Sequence, residues 1–508
     1  MTQREKTGYS ADSLQREFRG FRVTTSPLVP HFSFDRLLAE LTRCDKVKDR
    51  MVRQVFYLEG PYGQFFLKRS TLVRTKDRLR HLFLPRRRWA EWRQLCRLRV
   101  RGVAVPEAVC RGEKGGIIPD QFFLLTRRVA GEPVSCHSFE ETKKLGGYVA
   151  FLHSCGVYHA DLHPENVIMQ EDGTLCLIDA QEVFFVRLLP KWLRIHNLGK
   201  LWFHLRVQTH SEGYLATFLT GYNEGRKKPV KTREVVKAAD RHQQRHYYSR
   251  GKRCCKNSTE FVVIKGKHFS GYRRRTFPWG PEDLREGLKN GMTLKPDKVI
   301  AFEGVCIKGH QRRFLHSDRC LKSWKMSRAL EVRGIPVPRS LGYFRIGERS
   351  YFLAEFLVDS QPLNEYLSSL QVEGQKRELL KKLALWLRSI HDRNIWQRDF
   401  KSSNILCKNG AYTMVDLDGV RICCHLPYEK KILNLAQLNA SLSHAITIKD
   451  RLRFFYYYTK GEPTLRDKRR AIYERIWDIT LGKNTALYGL DLTELKPEGP
   501  SLLERPHI

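Results

Sequence analysis

The sequence contains the same set of polar residues twice, about 240 residues apart. In each copy an Asp is followed five residues later by an Asn, and a second Asp ends the next apolar run. The first set is Asp161, Asn166 and Asp179, and the second set is Asp399, Asn404 and Asp416. A carboxylate on a loop can accept a hydroxyl proton, whereas a carboxamide and a second carboxylate are oxygen ligands suited to Mg²⁺. Phosphoryl transfer from a nucleotide to a hydroxyl needs this combination of groups.

The spacing within each set indicates how the side chains are carried. The two aspartates are 18 residues apart in the first copy and 17 in the second, which leaves room for two short strands and a turn. Turn residues are present at Glu171-Asp172-Gly173 and at Asn409-Gly410. We therefore predict that the leading Asp of each set is a general base and that the Asn and the second Asp bind Mg²⁺.

A lysine precedes each set on a predicted strand. Lys68 ends QFFLK and lies 93 residues before Asp161, and Lys308 ends EGVCIK and lies 91 residues before Asp399. A lysine so placed is a point charge suited to the α- and β-phosphates of a nucleotide. Glu91 follows Lys68 by 23 residues and is its candidate ion-pair partner, whereas the second copy has Ser323 at that position.

The segments around these residues also match. EWRQLCRLRVRGVAVPEAV parallels SWKMSRALEVRGIPVPRSL, and each is typical of a helix, a Gly turn and a strand that opens with Val-Pro. Trp92 and Trp324 fall on equivalent positions and are predicted to pack in cores. After the loops, IHNLGKLWFHL parallels ILNLAQLNASL. The repeat therefore predicts two complete tandem domains rather than a duplicated motif.

These motifs resemble the lipopolysaccharide-core kinases, the family that includes the Kdo kinase and the heptose kinases. HADLHPEN with IDA is similar to the Kdo-kinase loop, and RDFKSSNIL with VDLDGVR resembles the family's second variant. The likeness covers roughly residues 45–225 and 255–460. It implies a protein-kinase-like fold, ATP and Mg²⁺ as cofactors, and phosphorylation of a sugar hydroxyl of the lipopolysaccharide inner core (Kdo or heptose) at the cytoplasmic membrane face.

Several features depart from protein kinases. Neither copy has a G-x-G-x-x-G loop, although Gly60 and Gly63 mark a turn before Lys68 and Gly304 precedes Lys308. No A-P-E motif follows either set, which favours a small-molecule or glycan kinase over a regulated protein kinase. Ala160 stands where the second copy keeps Arg398.

The net charge of +37 predicts a polyanionic partner, and about +15 of it falls on residues 1–240. Nucleic-acid recognition motifs are missing from the sequence, so we expect no specific nucleic-acid binding. An anionic membrane surface is favoured by two basic segments that contain tryptophan, 85–101 and 191–206. The second segment places four apolar residues on one helical face, and packing in its own core is the competing interpretation of that face: Leu198, Leu201, Trp202 and Leu205.

The remaining composition indicates an intracellular protein. The start of the chain lacks the apolar core of a signal peptide, and no run approaches the ~18 apolar residues of a membrane helix. The 13 cysteines lack metal-ligand spacing, which favours reduced thiols. We expect a cytoplasmic protein that is peripheral on the inner membrane; its oligomeric state is left open.

The predicted fold class is α+β, with two tandem protein-kinase-like domains at 1–240 and 241–485 and a tail at 486–508. Each domain is predicted to have a five-stranded antiparallel N-lobe over a mainly helical C-lobe. One helix is expected in the first 50 residues, from Phe34 to Thr42, and a basic connector with a possible helix spans 226–253. Two alternatives stay open: a kinase for another small-molecule or protein acceptor, and one or both domains that only bind nucleotide or glycolipid, for which Ser323 makes the second domain the better candidate.

Overall fold

The computed structural model describes residues 11–50, 53–72, 89–116, 119–206, 212–296, 298–312, 316–370, 372–442, 446–460, 465 and 468–487. The chain forms two compact units, Met1–Gln244 and Arg245–Ile508. Each unit has an antiparallel sheet followed by a mainly helical part. Most of the expected tail, residues 488–508, and the arginines at 86–88 lie outside the described residues.

The N-lobe of the first unit is a six-stranded antiparallel sheet in the order β1-β5-β6-β4-β3-β2. Its strands are β1 Arg22–Thr25, β2 Arg43–Arg50, β3 Arg53–Gly60, β4 Gly63–Thr71, β5 Ala108–Gly115 and β6 Pro119–Arg127. Its helices are α1 Ala11–Phe18, α2 Phe34–Ala39 and α3 Ala90–Val100. Alternate residues of β4 point to opposite faces, so Phe65 and Leu67 enter the core while Lys68 faces the other side.

The C-lobe of the first unit carries the loop with Asp161 and Asn166 between short strands. These strands are β7 Glu132–Pro133, β8 Val157–His159, β9 Val167–Met169, β10 Leu175–Leu177 and β11 Val183–Phe185. The helices are α4 Phe139–Ser154, α5 Lys191–Leu205, α6 Glu212–Asn223 and α7 Thr232–Gly251. Ser138 caps α4 by accepting a hydrogen bond from the Glu141 backbone N–H.

The second N-lobe is a seven-stranded antiparallel sheet in the order β12-β13-β17-β18-β16-β15-β14. Its strands are β12 Phe261–Lys265, β13 Phe269–Arg274, β14 Met292–Lys295, β15 Val299–Phe302, β16 Val305–Gln311, β17 Ser340–Ile346 and β18 Arg349–Glu355. Its helices are α8 Pro281–Asn290 and α9 Arg319–Val332. Strands β12 and β13 pair as an antiparallel hairpin at the edge of this sheet.

The second C-lobe repeats the first. Its strands are β19 Gln361–Pro362, β20 Ile395–Gln397, β21 Ile405–Lys408, β22 Ala411–Met414 and β23 Val420–Ile422. Its helices are α10 Leu363–Ser368, α11 Glu373–Asp392, α12 Tyr428–Ala440, α13 Ile448–Thr459 and α14 Arg469–Leu487. Its core is one continuous cluster of buried apolar residues from α11, α12, α13 and α14.

The predicted fold class is confirmed, but two details are wrong. Five strands are predicted for each N-lobe, whereas the first sheet has six, because β1 pairs with β5 at its edge, and the second has seven. The first 50 residues hold a second helix, α1, and α2 ends at Ala39 rather than Thr42. The possible helix in the basic connector 226–253 is confirmed as the long helix α7.

The aromatic and apolar helix residues divide between core and surface. Trp92 and Trp324 are buried, as predicted. The apolar face of α5 is buried in the C-lobe core, which confirms the core interpretation of this face: Leu198, Leu201, Trp202 and Leu205. Their i, i+3, i+4, i+7 spacing puts these side chains on one face of the helix, as a core-facing stripe requires.

Candidate active site

The second Asp of each set follows a short hairpin, as the spacing predicted. Strand β9 pairs with β10 in the first unit, and β21 pairs with β22 in the second. Asp179 and Asp416 then adopt the same left-handed backbone conformation, with φ 58° and ψ 60° in both. Non-glycine residues seldom adopt this conformation, and such strain is concentrated at functional sites. The two units therefore present these carboxylates in the same way.

The leading Asp and the Asn of each set are held together by the loop itself. The Asn166 side-chain amide donates to the Asp161 carbonyl at 2.9 Å, and Asn404 donates to the Asp399 carbonyl at 2.8 Å. Each Asn ends a 3₁₀ turn, Pro164–Asn166 or Ser402–Asn404. The bond uses the amide nitrogen, so it fixes the plane of the carboxamide and the direction of its oxygen.

Two buried asparagines, which the sequence interpretation did not single out, anchor the strands that lead into the loops. Asn197 of α5 donates to the His159 carbonyl at 2.7 Å, and Asn434 of α12 donates to the Gln397 carbonyl at 2.6 Å. Each also accepts the backbone N–H of the same residue. Their recurrence in the NLGKL and NLAQL segments was the available sequence signal.

His159 connects the two aspartates of the first unit. Its Nδ1 accepts the Asp161 backbone N–H at 3.1 Å. Burial lowers the pKa of His159 to about 4, although the nearby Asp179 and Asp161 carboxylates act in the opposite direction. In the second unit Gln397 takes this position and donates to the Asp416 carbonyl at 3.0 Å. The side chain at this position thus links the catalytic loop to the end of the hairpin.

The predicted base of the first unit lies beside a lysine. Lys200 of α5 donates to Asp161 Oδ1 at 2.6 Å and to the Ala160 carbonyl at 2.8 Å. Burial raises the pKa of Asp161, but the hydrogen bond and charge of Lys200 outweigh it and hold that pKa below its ordinary value. His163 is farther away, with Nε2 3.8 Å from Asp161 Oδ2. The carboxylate is therefore ionised at neutral pH.

The predicted base of the second unit also has a lysine beside it, but from the loop. Lys401 Nζ lies 3.0 Å from Asp399 Oδ2. The α12 position that matches Lys200 is Gln437, which donates to the Arg398 carbonyl at 2.7 Å. The same kind of charge thus comes from a different element in each unit.

The predicted phosphate lysine of the first unit lies within a cluster of four charged groups. Lys68 is paired with Glu91 of α3, and its Nζ is 3.8 Å from Asp179 Oδ1. Arg53 of β3 reaches Glu91 at 3.3 Å and Asp179 at 3.7 Å, and donates to Gln181 at 2.5 Å. Asp179 Oδ1 is buried and has no hydrogen-bond partner among the described residues.

The corresponding lysine of the second unit has a different arrangement. Lys308 is paired directly with Asp416, and its Nζ is 4.0 Å from Asp418 Oδ1. Arg319 of α9 is hydrogen-bonded to Asp418. Burial raises the pKa of Asp418, whereas Arg319 and Lys308 lower it, with a net decrease. Ser323, at the position of Glu91, is buried, and the carboxylate near the lysine comes from the segment after Asp416.

Sequence reasoning missed four charged site residues: Arg53, Lys200, Arg319 and Asp418. Arg53 and Arg319 are single arginines in a chain with 91 lysines and arginines, so no local pattern distinguishes them. Lys200 and Asp418 are visible when the two copies are aligned. In that alignment Lys200 corresponds to Gln437, and Asp418 corresponds to Gln181. Each pair is therefore a change of charge within an otherwise matched segment.

The sheet, the helical lobe and this site together define a kinase-like phosphotransferase. The model of the lipopolysaccharide kinase (Kdo/WaaP) family matches residues 50–222 and 306–458, more than half of the chain. The protein therefore belongs to this family, and it is a kinase that phosphorylates a hydroxyl group.

Two solved structures are similar to parts of the chain. One is described as WaaP in complex with acyl carrier protein; it is 18% identical with a TM-score of 0.32, and the match covers 44% of this chain and 97% of that one. The other is an aminoglycoside-3'-phosphotransferase of type VIII, 17% identical with a TM-score of 0.31, covering 45% and 94%. A comparison with curated protein sequences yields no significant match.

Proposed function

We propose that the protein uses ATP to phosphorylate a sugar hydroxyl of the lipopolysaccharide inner core, Kdo or heptose, at the cytoplasmic face of the membrane. The observation that carries this proposal is the repeated site. In each unit an Asp in the left-handed conformation and a loop Asp bonded to its Asn recur with the same backbone geometry, and a strand lysine lies within 4 Å of the left-handed Asp. This is the set of groups that phosphoryl transfer requires.

The residue roles follow from the geometry. Asp161 and Asp399 are proposed to take the acceptor proton as the acceptor oxygen bonds to the γ-phosphorus and the bond to the β–γ bridging oxygen breaks. An ionised carboxylate is needed for this step, and the low pKa of Asp161 supplies one. Lys68, oriented by Glu91, and Lys308 are assigned to the α- and β-phosphates.

The residues present fit a magnesium ion. Asp179 Oδ1 has no hydrogen-bond partner in the described part of the chain, and its nearest cations, Arg53 and Lys68, lie 3.7 and 3.8 Å away. This carboxylate oxygen is therefore placed to accept a metal ion as well. We assign Asn166 and Asp179 to Mg²⁺ in the first unit, and Asn404 and Asp416 in the second. Two protein ligands suit Mg²⁺, because phosphate oxygens and water complete its shell. When bound, it would neutralise charge on the phosphates.

An anionic membrane surface is the proposed setting of the reaction. No helix in the described residues is long and apolar enough to cross a bilayer. The first unit exposes apolar side chains in the segment that follows Asp179 in the sequence: Phe184, Leu188 at 85% and Trp192 at 67% exposure. Arg187 and Lys191 lie among them in the sequence. Apolar side chains among cations favour a lipid surface with negative headgroups.

The direct pairing of Lys308 with Asp416 favours one alternative for the second unit. There the lysine occupies the carboxylate that we assign to Mg²⁺, so this unit would serve as a glycolipid-binding module if the pair does not open. The Lys, Asp and Asn set is otherwise complete. The two interpretations differ in a measurable way, because only an active second unit transfers phosphate when the first is disabled.

The test is transfer of labelled phosphate from ATP to core-oligosaccharide lipids, with proteins and aminoglycosides as other acceptors. The wild type is compared with Asp161→Asn, with Asp399→Asn and with the double variant. We expect the double variant to lose transfer and each single variant to report the contribution of one unit. Transfer to proteins or aminoglycosides alone would refute the proposed acceptor, and full activity of the double variant would refute the proposed bases.

A further inference from the structure

The cation beside the predicted base comes from different positions in the two units. In the first unit it is Lys200 of α5, 2.6 Å from Asp161 Oδ1. In the second unit it is Lys401, two residues after the base in the loop itself, 3.0 Å from Asp399 Oδ2. The charge is thus present in both sites although neither lysine has a lysine at its equivalent position.

Lys200 and Gln437 occupy equivalent positions and differ in charge. Lys200 and Gln437 donate to the same backbone carbonyl of their loops, that of Ala160 at 2.8 Å and that of Arg398 at 2.7 Å. A glutamine is therefore sufficient to hold the loop. The hydrogen bond from Lys200 to the Asp161 carboxylate is additional, and it places the positive charge of the ammonium group beside the predicted base.

The loop position of the first unit does not supply an equivalent charge. His163 stands where the second unit has Lys401, and its Nε2 is 3.8 Å from Asp161 Oδ2. A histidine side chain is cationic only when protonated, whereas a lysine ammonium group stays charged across the neutral range. Among the described residues, the cation that stays charged directly beside Asp161 is Lys200.

We propose that Lys200 is a further catalytic residue of the first unit, which contacts the transferred γ-phosphoryl group beside Asp161. This proposal rests on the proposed function. In phosphoryl transfer the acceptor hydroxyl lies between the base and the γ-phosphorus, so an ammonium group that touches the base is adjacent to the phosphoryl oxygens. There it would offset the negative charge that the carboxylate and the phosphates bring together.

The first test measures nucleotide binding and needs no acceptor. In full-length protein carrying Lys308→Met, which weakens the second nucleotide site, calorimetry compares the Kd for Mg·ATP with that for Mg·ADP. Lys200→Gln should weaken ATP binding by about tenfold, as expected for one lost contact to a charged group, and should leave ADP binding nearly unchanged. His163→Lys added to Lys200→Gln should restore the ATP affinity, because it recreates the arrangement of the second unit.

The reverse exchange of the lysine in the second unit shows whether a loss of affinity comes from the missing charge or from a folding defect. In a Lys68→Met background, Lys401→His should weaken Mg·ATP binding to the second unit, and Lys401→His with Gln437→Lys should restore it. Equal ATP-to-ADP affinity ratios in wild type and Lys200→Gln would overturn the inference while the proposed function stands. No nucleotide binding by the wild type would overturn both.

Discussion

The partner of the phosphate lysine is predicted to differ between the units. Glu91 of α3 is paired with Lys68, whereas Lys308 is paired with Asp416 and has Asp418 as a second carboxylate at 4.0 Å. We expect Glu91→Gln to weaken nucleotide binding by the first unit, because Lys68 loses its paired carboxylate. We expect Asp418→Asn to weaken binding by the second unit, because Arg319 loses its partner and Asp416 alone is left to balance Lys308. Ser323→Ala, at the position equivalent to Glu91, should have no effect on binding by the second unit.

The expected size of the change in nucleotide affinity follows from the burial of Asp418 and the exposure of Arg319. Asp418 is 6% exposed and Arg319 is 53% exposed. Arg319 can therefore be hydrated when its partner is lost, so the cost falls near that of one hydrogen bond to a charged group, about 1.5–3 kcal/mol. Since about 1.4 kcal/mol is a factor of ten, the Kd for Mg·ATP should rise by about tenfold or more if the pairing is needed for binding.

Calorimetry measures the Kd of one unit when the nucleotide site of the other is weakened by its lysine variant, Lys68→Met or Lys308→Met. The variant Arg319→Gln tests the arginine that is hydrogen-bonded to Asp418. A Kd for the second unit that is the same in Asp418→Asn and wild type would refute the reasoning. A fall in affinity caused by Ser323→Ala would place the partner on α9 instead.

Three further outcomes are expected. Asp161→Asn and Asp399→Asn should lower transfer by their own units by ~10²–10⁴-fold in rate assays, and equal rates would remove the assigned base role. Asn197→Ala leaves the buried His159 carbonyl unpaired and should lower the free energy of unfolding by about 1–3 kcal/mol in denaturant titrations, with a change below 0.5 kcal/mol arguing against the anchor. Trp192→Glu should reduce sedimentation with anionic liposomes at low salt, and undiminished binding would move the docking surface elsewhere.

Periodic and repeated features could be predicted from the sequence. The hairpins, the loop Asp and Asn, and the buried tryptophans Trp92 and Trp324 follow from local patterns that recur in both copies. The edge strand β1 could not be predicted, because Arg22–Thr25 is a short exposed segment whose pairing with β5 depends on a partner about 85 residues away. Local pattern does not encode such long-range pairing.

The surface role of α5 illustrates the same limit. Its sequence is both basic and apolar, and periodicity alone fits either a core or a membrane face. The structure shows that Trp202 is buried and Trp192 is exposed on the same helix. The difference is set by how α5 packs in the C-lobe, with Asn197 turned to the strand that leads into the catalytic loop.

Charged residues stand at different sequence positions in the two units, and this difference affects how such repeats are interpreted. Position by position, the second copy lacks the glutamate of α3 and the first lacks the loop lysine, so each would be judged incomplete by its own motif. In space, Asp418 and Lys200 bring a carboxylate and an ammonium group to those places. A site charge acts through distance and direction, not through the element that carries it. Compensation at two places therefore favours selection on both sites, and it argues against a second unit that has merely lost its chemistry.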